Sequence, residues 1–307
     1  MPESLSRQSV IYRYKGFIMV LVGATLWGLS GTVAQKLFQN EGFTPGWLVT
    51  MRLLISGFLL LLLRYFRKSP HRIWDIWKSV DLIRLLIFGC FGMLGVQYTY
   101  FAAIQTGNAA TATLLQYMAP LFITIYLIAR YRRIPKVKEL IAMGLALLGT
   151  LLLVTNGSIY ELSISRIALL WGLSSAIALA FYTIYPSDLL KRWGSDIIVG
   201  WGMIVGAFGL SLINPPWKMQ GQNWSITTGI FVAFVIIFGT LIAFYLYVDS
   251  LRYITPTEAS LLASAEPLSA TITSVIWLNI PFGIFEAIGG ICILSAVAML
   301  LLLRSNK

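Results

Sequence analysis

The sequence predicts an all-α integral membrane protein, with ten transmembrane helices arranged as two inverted-topology five-helix repeats. Three observations lead there. The 307 residues are 58% hydrophobic and only 11% charged, with a mean hydropathy of +0.79, whereas soluble domains have about 45–50% apolar and about 25% charged residues. The cations fall almost entirely on one side of the membrane map that this composition produces. A stretch in the second half of the chain repeats one in the first half at a constant interval of 147 residues.

A spanning helix needs about 20 mostly apolar residues. The chain offers such segments at 16–37, 46–63, 82–105, 108–128, 138–155, 166–188, 197–213, 226–249, 257–277 and 283–303. The first is too long for a signal-peptide core, and no small-x-small cleavage site follows it. In the loop after the second span, Ile73, Trp74, Ile76, Trp77 and Val80 recur at helical spacing among Arg72, Asp75 and Lys78. This pattern predicts a short helix resting on the inner leaflet, with tryptophans at headgroup depth. Thr106-Gly107-Asn108 joins the third and fourth spans, and Asn279-Ile280-Pro281 the ninth and tenth; these residue types are turn formers. Ten spans use about 200 residues, which leaves no room for a separate soluble domain.

Eighteen of the 23 cations lie on the amino-terminal side of this map, grouped around Arg13, Arg67, Arg133, Arg192, Arg252 and Arg304. Lys36, Arg166 and Lys218 lie opposite, and Arg52 and Arg84 fall within spans. The asymmetry puts both termini in the cytoplasm and absorbs the net charge of +11 without a nucleic-acid partner. Cys90 and Cys292 both sit in apolar runs, so there is no disulfide framework and no cysteine-based zinc site. His71 is the sole histidine and is far from any serine-centred motif. No G-x-x-x-x-G-K-[ST] loop occurs, so the chain does not itself hydrolyse ATP. Neither a metal nor another cofactor is expected.

The repeat superposes residues 92–121 on 239–268 with nine identities in 30 positions, against about three expected between random apolar segments. The identities include Gly92/Gly239, Tyr98/Tyr245, Tyr100/Tyr247 and Pro120/Pro267. The same interval maps Glu139 onto Glu286, and a shorter echo, Leu-Trp-Gly-Leu-Ser, stands at 26–30 and 170–174. A unit of five spans is odd, so the second unit enters the membrane from the other side. Many secondary transporters are built this way, because two near-equivalent halves can exchange inward and outward shapes around a midplane site.

The pattern Y-x-Y…A-x-A-T-x-L-x-x-x-x-P-L in the third and fourth spans, with its twin Y-x-Y…T-x-A-S-L-L-x-x-x-E-P-L in the eighth and ninth, resembles the EamA domain of the drug/metabolite transporter superfamily. Gly23-Ala24-Thr25-Leu26-Trp27-Gly28 and Arg52-Leu53-Leu54 fit the same pattern. The resemblance implies one EamA repeat over 15–155 and a second over 164–304, around a central cavity with spans five and ten at the periphery. It further implies no enzymatic activity, but alternating-access transport of small metabolites, most often export and often driven by proton exchange. The expected function is export, across the plasma membrane, of small amphiphilic metabolites such as amino acids or related compounds. Protons are the candidate coupling ion and membrane lipid the surroundings; the protein would work as a monomer or homodimer. Uptake and passive facilitation remain alternatives. A membrane enzyme or sensor lacks a recognisable site, and the duplication argues against it.

Glu266 is the one acidic side chain near the centre of a span. A carboxyl there costs about 2.5–3.5 kcal/mol on insertion scales, and a group that trades a proton for substrate is what coupling requires. A structural, permanently protonated Glu266 is the alternative. Pro120 and Pro267 are the candidate hinges: each removes a backbone donor and frees the carbonyl four residues earlier, at Gln116 and Ala263. Arg52 is a candidate for binding a substrate carboxylate, with snorkelling as the alternative. Trp27, Gln97, Tyr98, Tyr100, Gln116, Tyr117, Tyr245 and Tyr247 complete the candidate cavity wall, since aromatic rings with a polar edge suit an amphiphilic solute. Asp249, Arg252 and Glu258 are read as solvated charge at the turn between the eighth and ninth spans.

Overall fold

The computed structural model describes residues 2–66, 73–132, 134–157, 164–219, 221–250, 252–254, 259 and 262–305. Arg67, Arg72, His71, Arg133, Glu258 and much of the start of the ninth predicted span lie outside them. Helices carry the fold, and no strand occurs among the described residues. In chain order they are α1 (Pro2–Asn40), α2 (Pro45–Tyr65), α3 (Leu82–Thr106), α4 (Ala109–Tyr131), α5 (Val137–Thr155), α6 (Arg166–Ile184), α7 (Ser195–Ser211), α8 (226–250), α9 (Ala265–Leu278) and α10 (Ile284–Ser305). Six of them, α1 to α4, α6 and α8, are individually long and apolar enough to cross a membrane. Short helix Ser187–Trp193 meets α7 at a 119° bend.

The helix starts follow from capping chemistry. Thr44, Asn108, Ser165 and Ser225 each present a side-chain oxygen to a backbone N–H of the first turn of α2, α4, α6 and α8, which satisfies one of the amides a helix leaves open. Glu139 accepts from the Lys136 amide at 2.9 Å, and Glu286 from the Gly283 amide at 2.6 Å. The repeat-related glutamates thus cap α5 and α10 in the same way. The sequence predicts a sixth span reaching 188; the helix stops at Ile184, because Pro186 has no backbone N–H to carry the helical hydrogen bonding past Tyr185. The expected inner-leaflet helix is a single 3₁₀ turn, Asp75–Lys78. Buried Ile76 pins it, and Trp201 packs between Trp74 and Trp77, each with ring centroids 4.9 Å away.

Backbone irregularities recur at the sequence interval. A π-helical turn interrupts α3 at Phe88–Leu94 and α8 at Ile237–Ile242. Arg132 ends α4 and Asn279 ends α9, both in the left-handed conformation, with φ of 47° and 52°. Packing recurs as well: α1 lies on α8 and α9, while α6 lies on α3 and α4; α2 pairs with α7, and α5 with α10. The last pair crosses closely enough that a Cβ on Gly149 would lie 2.6 Å from the Gly289 carbonyl oxygen, and a Cβ on Gly289 equally near that of Gly149. Small residues allow such approach in lipid, where the hydrophobic effect does not drive helices together. Large apolar side chains such as Phe58, Phe91, Leu147, Ile167 and Phe208 remain exposed around the bundle. Lipid, not water, suits that perimeter.

Candidate functional site

The interior site is built where α9 begins. Both prolines act as helix starters rather than kinks. The chain turns at Tyr117-Met118 and again at Ala263-Ser264, and Pro120 and Pro267 then stand in the first turn of the resumed helix. Proline is tolerated there because that turn's N–H has no partner to lose. The break at Pro267 leaves the Ala263 carbonyl available. It accepts the Glu266 amide at 2.9 Å and also the hydroxyl of Tyr117 from the opposite break.

Glu266 projects from the first turn of α9. Its carboxylate makes no hydrogen bond and no ion pair within 4.0 Å among the described residues. It lies within electrostatic range of Arg52 on α2, Tyr100 on α3, Tyr117 on α4 and Tyr247 on α8. Four helices from both halves of the chain therefore converge on it. On α1, Gly28 meets the Glu266 carbonyl with no room for a side chain between, and the neighbouring Trp27 packs on Phe244 and Tyr247 at 5.2 and 5.3 Å.

The tyrosines are held in different ways. The Tyr100 hydroxyl is 2.8 Å from that of Thr113. Arg52 is 4% exposed. Its Nε donates to the Thr240 hydroxyl at 3.0 Å, and its guanidinium lies 4.5 Å from the Phe101 ring centre. Gln97 and Gln116 are buried residues whose side-chain amides have no partner among the described residues. Among those residues, the side-chain atom both sealed and unpartnered is Ser274 Oγ. The Gln97 and Gln116 amides and the Glu266 carboxylate therefore open onto accessible space instead of a closed core.

Of the residues singled out from sequence, Trp27, Arg52, Tyr100, Tyr117, Tyr247 and Glu266 come together. Gln97 stands one turn from Tyr100, and Gln116 adjoins Tyr117. Tyr98 is half-buried on the other side of α3, edge-on to Trp171 at 5.7 Å. Tyr245 is 41% exposed and faces away from Tyr247. Arg252 pairs with Asp249 at 3.1 Å, apart from this site. The sequence reading passed over Phe101 and Thr240. The signal for Thr240 was present, since it is the one hydroxyl in the apolar run of 229–244.

A relative named as an uncharacterized inner membrane transporter, YicL of Salmonella typhimurium, is 37% identical over 289 residues, spanning 93% of this chain and 95% of its own. An uncharacterized transporter of Archaeoglobus fulgidus is 28% identical over 88% of this chain and 91% of its own. A solved structure described only as a crystal structure of a protein shares the fold, with a TM-score of 0.59 over 97% of this chain and 98% of its own at 18% identity. The model of the EamA-like transporter family matches twice, over residues 14–155 and 166–302. With nearly the whole sequence taken up by those two matches, this multi-pass membrane protein belongs to the EamA-like transporter family.

Proposed function

We propose that the protein is a secondary active transporter that exports small amphiphilic metabolites, amino acids or related compounds, by alternating access coupled to proton movement through Glu266. In this reading ten spans form two inverted five-helix repeats, 15–155 and 164–304. They lie in the plasma membrane with both termini in the cytoplasm. The recurring π-turns, left-handed caps and capping glutamates support the two-repeat reading, and the cation asymmetry supports the orientation. The surroundings are Trp27, Arg52, Gln97, Tyr100, Gln116, Tyr117 and Tyr247, with Pro120 and Pro267 as hinges.

One observation carries the proposal. A carboxylate with no protein partner sits where α2, α3, α4, α8 and α9 converge. An intramembrane carboxyl is costly unless paired or protonated. One without a partner is suited to take a proton and to release it when a polar solute occupies the same space. Glu266→Gln keeps shape and hydrogen bonding but removes titration. The variant is expected to bind substrate, to exchange it across proteoliposomes at equal pH, and to lose accumulation driven by a pH gradient. Accumulation at the wild-type level would remove Glu266 from coupling and return it to a structural role.

A further inference from the structure

We propose that Arg52 is a shared counter-ion that trades Thr240 for Glu266, with Thr240 as the positioning residue that holds it on the π-turn of α8 while Glu266 is protonated. The inference rests on the role of Glu266 proposed above and adds the route by which its charge reaches the helices.

The π-turn of α8 has loosened backbone bonding, and side chains of α2 take up what it frees. Arg52 Nε donates to Thr240 Oγ1 at 3.0 Å, and its Nη2 makes a long 3.5 Å contact with the Gly239 carbonyl. One helical turn further along α2, Ser56 donates to the Ile236 carbonyl at 3.3 Å. Thr240 spends its own proton on the Val235 carbonyl at 2.9 Å. Its oxygen is left to accept, so Arg52, Thr240 and Val235 form a directed chain. Arg52 Nη1 has no hydrogen bond among the described residues, and Glu266 lies within electrostatic range yet beyond ion-pair distance.

The groups facing Glu266 decide what answers its charge. Tyr100, Tyr117 and Tyr247 face it, but the first hydroxyl is engaged with Thr113 and the second with Ala263. From α1 comes Gly28, which has no titratable group. Arg52 is the cation. While Glu266 is protonated, the π-turn gives the guanidinium its best set of partners. Once the proton leaves for the aqueous side, an ionised carboxylate stands unpaired in the interior, which is strongly unfavourable. A charge-assisted, bidentate pair is stronger than a neutral hydrogen bond, and in this scheme the guanidinium swings towards the carboxylate at the end of its long side chain. The π-turn then keeps only Ser56. Each charge state therefore selects one of two packings of α8 on α2, which is the bistable element that a population shift requires.

Hydrogen exchange of peptides covering 235–243 tests this, measured by mass spectrometry on the full-length protein in lipid nanodiscs and corrected for intrinsic pH effects. In the wild type, protection is expected to fall about tenfold between about pH 6 and about pH 9, a window that brackets the titration of buried glutamates in general. Glu266→Gln is expected to stay protected at both pH values, and Thr240→Val to be poorly protected at both. Equal wild-type protection at the two pH values would overturn the exchange of partners. So would a pH response surviving in Glu266→Gln, or a Thr240→Val variant as protected as wild type at the lower pH. These outcomes are separate from gradient-driven transport. Glu266 can prove to be the coupling residue while 235–243 ignores pH, in which case only the Arg52 scheme fails.

Discussion

The two π-turns make the informative comparison. The turn in α3 is packed by α7 almost without polar chemistry: a Cβ on Gly206 would lie 3.0 Å from the Gly89 carbonyl, and one on Gly89 would lie 2.6 Å from Val205 Cγ1. The turn in α8 is gripped by α2 through Arg52 and Ser56. In the repeat register, Val199 stands where α2 has Arg52, and Met93 where α8 has Thr240. The same irregular backbone is thus smooth in one half and bolted in the other. Duplication supplies two similar mechanical elements, and polar substitution in one copy makes that copy responsive to charge.

The largest effect expected from breaking this comparison lies at the Leu-Trp-Gly-Leu-Ser echo. Both tryptophans pack on an aromatic ring of the other half, Trp27 on Phe244 and Trp171 on Tyr98. The glycines after them differ in what they touch. A Cβ on Gly28 would collide with backbone, the Glu266 carbonyl and the Ala270 nitrogen, as well as the Ser269 hydroxyl, whereas one on Gly172 would meet the Leu115 side chain, 2.5 Å from its Cδ1 and 2.9 Å from its Cβ. Gly28→Ala is therefore expected to cost about 3 kcal/mol or more, and Gly172→Ala about 1 kcal/mol. Thermal unfolding in detergent micelles, followed by loss of the monodisperse peak, checks the order. Equal losses would show that α1 can move off α9 as easily as α6 gives way around Leu115.

A smaller effect separates the π-turns themselves. Thr240→Val leaves Arg52 Nε without its acceptor and is expected to cost about 1–2 kcal/mol. At the equivalent position, Met93→Leu keeps volume in a fully buried site and is expected to cost less than about 1 kcal/mol. Unfolding midpoints of the two variants in the same micelles give the comparison. A Met93→Leu loss as large as that of Thr240→Val would mean that tight packing, not the hydrogen-bond chain, sets the stability of both turns.

The parts of the molecule governed by one-dimensional rules were legible in the sequence. Apolar run length located the helices, and the Thr106-Gly107-Asn108 turn marked where α3 gives way to α4, with Asn108 capping the latter. The paired prolines pointed to the breaks. The π-turns were not legible, because one extra residue in a turn leaves no distinctive composition. The tyrosine pairs show a different limit. Residues two apart on a helix do not share a face, so a Y-x-Y motif cannot send both rings inward. Tyr100 is buried while Tyr98 turns to Trp171, and Tyr247 faces Glu266 while Tyr245 is exposed. Helical geometry alone would have divided those pairs. The grip of Arg52 on Thr240 spans 188 residues of sequence and depends on how α2 packs on α8, which no local pattern encodes.

The smallest expected effect concerns two helix starts that share a repeat position, Asp81 before α3 and Thr228 in α8. Thr228 works without charge: its hydroxyl accepts the Ser225 amide at 2.8 Å and donates to the Asn223 carbonyl at 3.0 Å. Asp81 accepts from the Trp193 indole at 3.1 Å and from Arg192 at 3.3 Å, with Arg84 at 3.7 Å. The Trp193 hydrogen bond first, with Arg192 and Arg84 adding to it, outweighs burial and holds the carboxyl below the ordinary aspartate value of 3.8. A depressed folded-state pKa adds stability that is fully present above the unfolded-state value and is lost as pH falls through the folded-state one. The difference in stability between wild type and Asp81→Asn should therefore be constant near neutrality and shrink only below about pH 4. Thr228→Val should carry a penalty that ignores pH over the same range. Unfolding midpoints of the three proteins across an acid series, each taken as a difference from wild type to cancel the other carboxylates, provide the check. A wild-type minus Asn difference that stays flat into acid would show that Asp81 acts through hydrogen bonding alone, as Thr228 does, and would erase the asymmetry between the two starts.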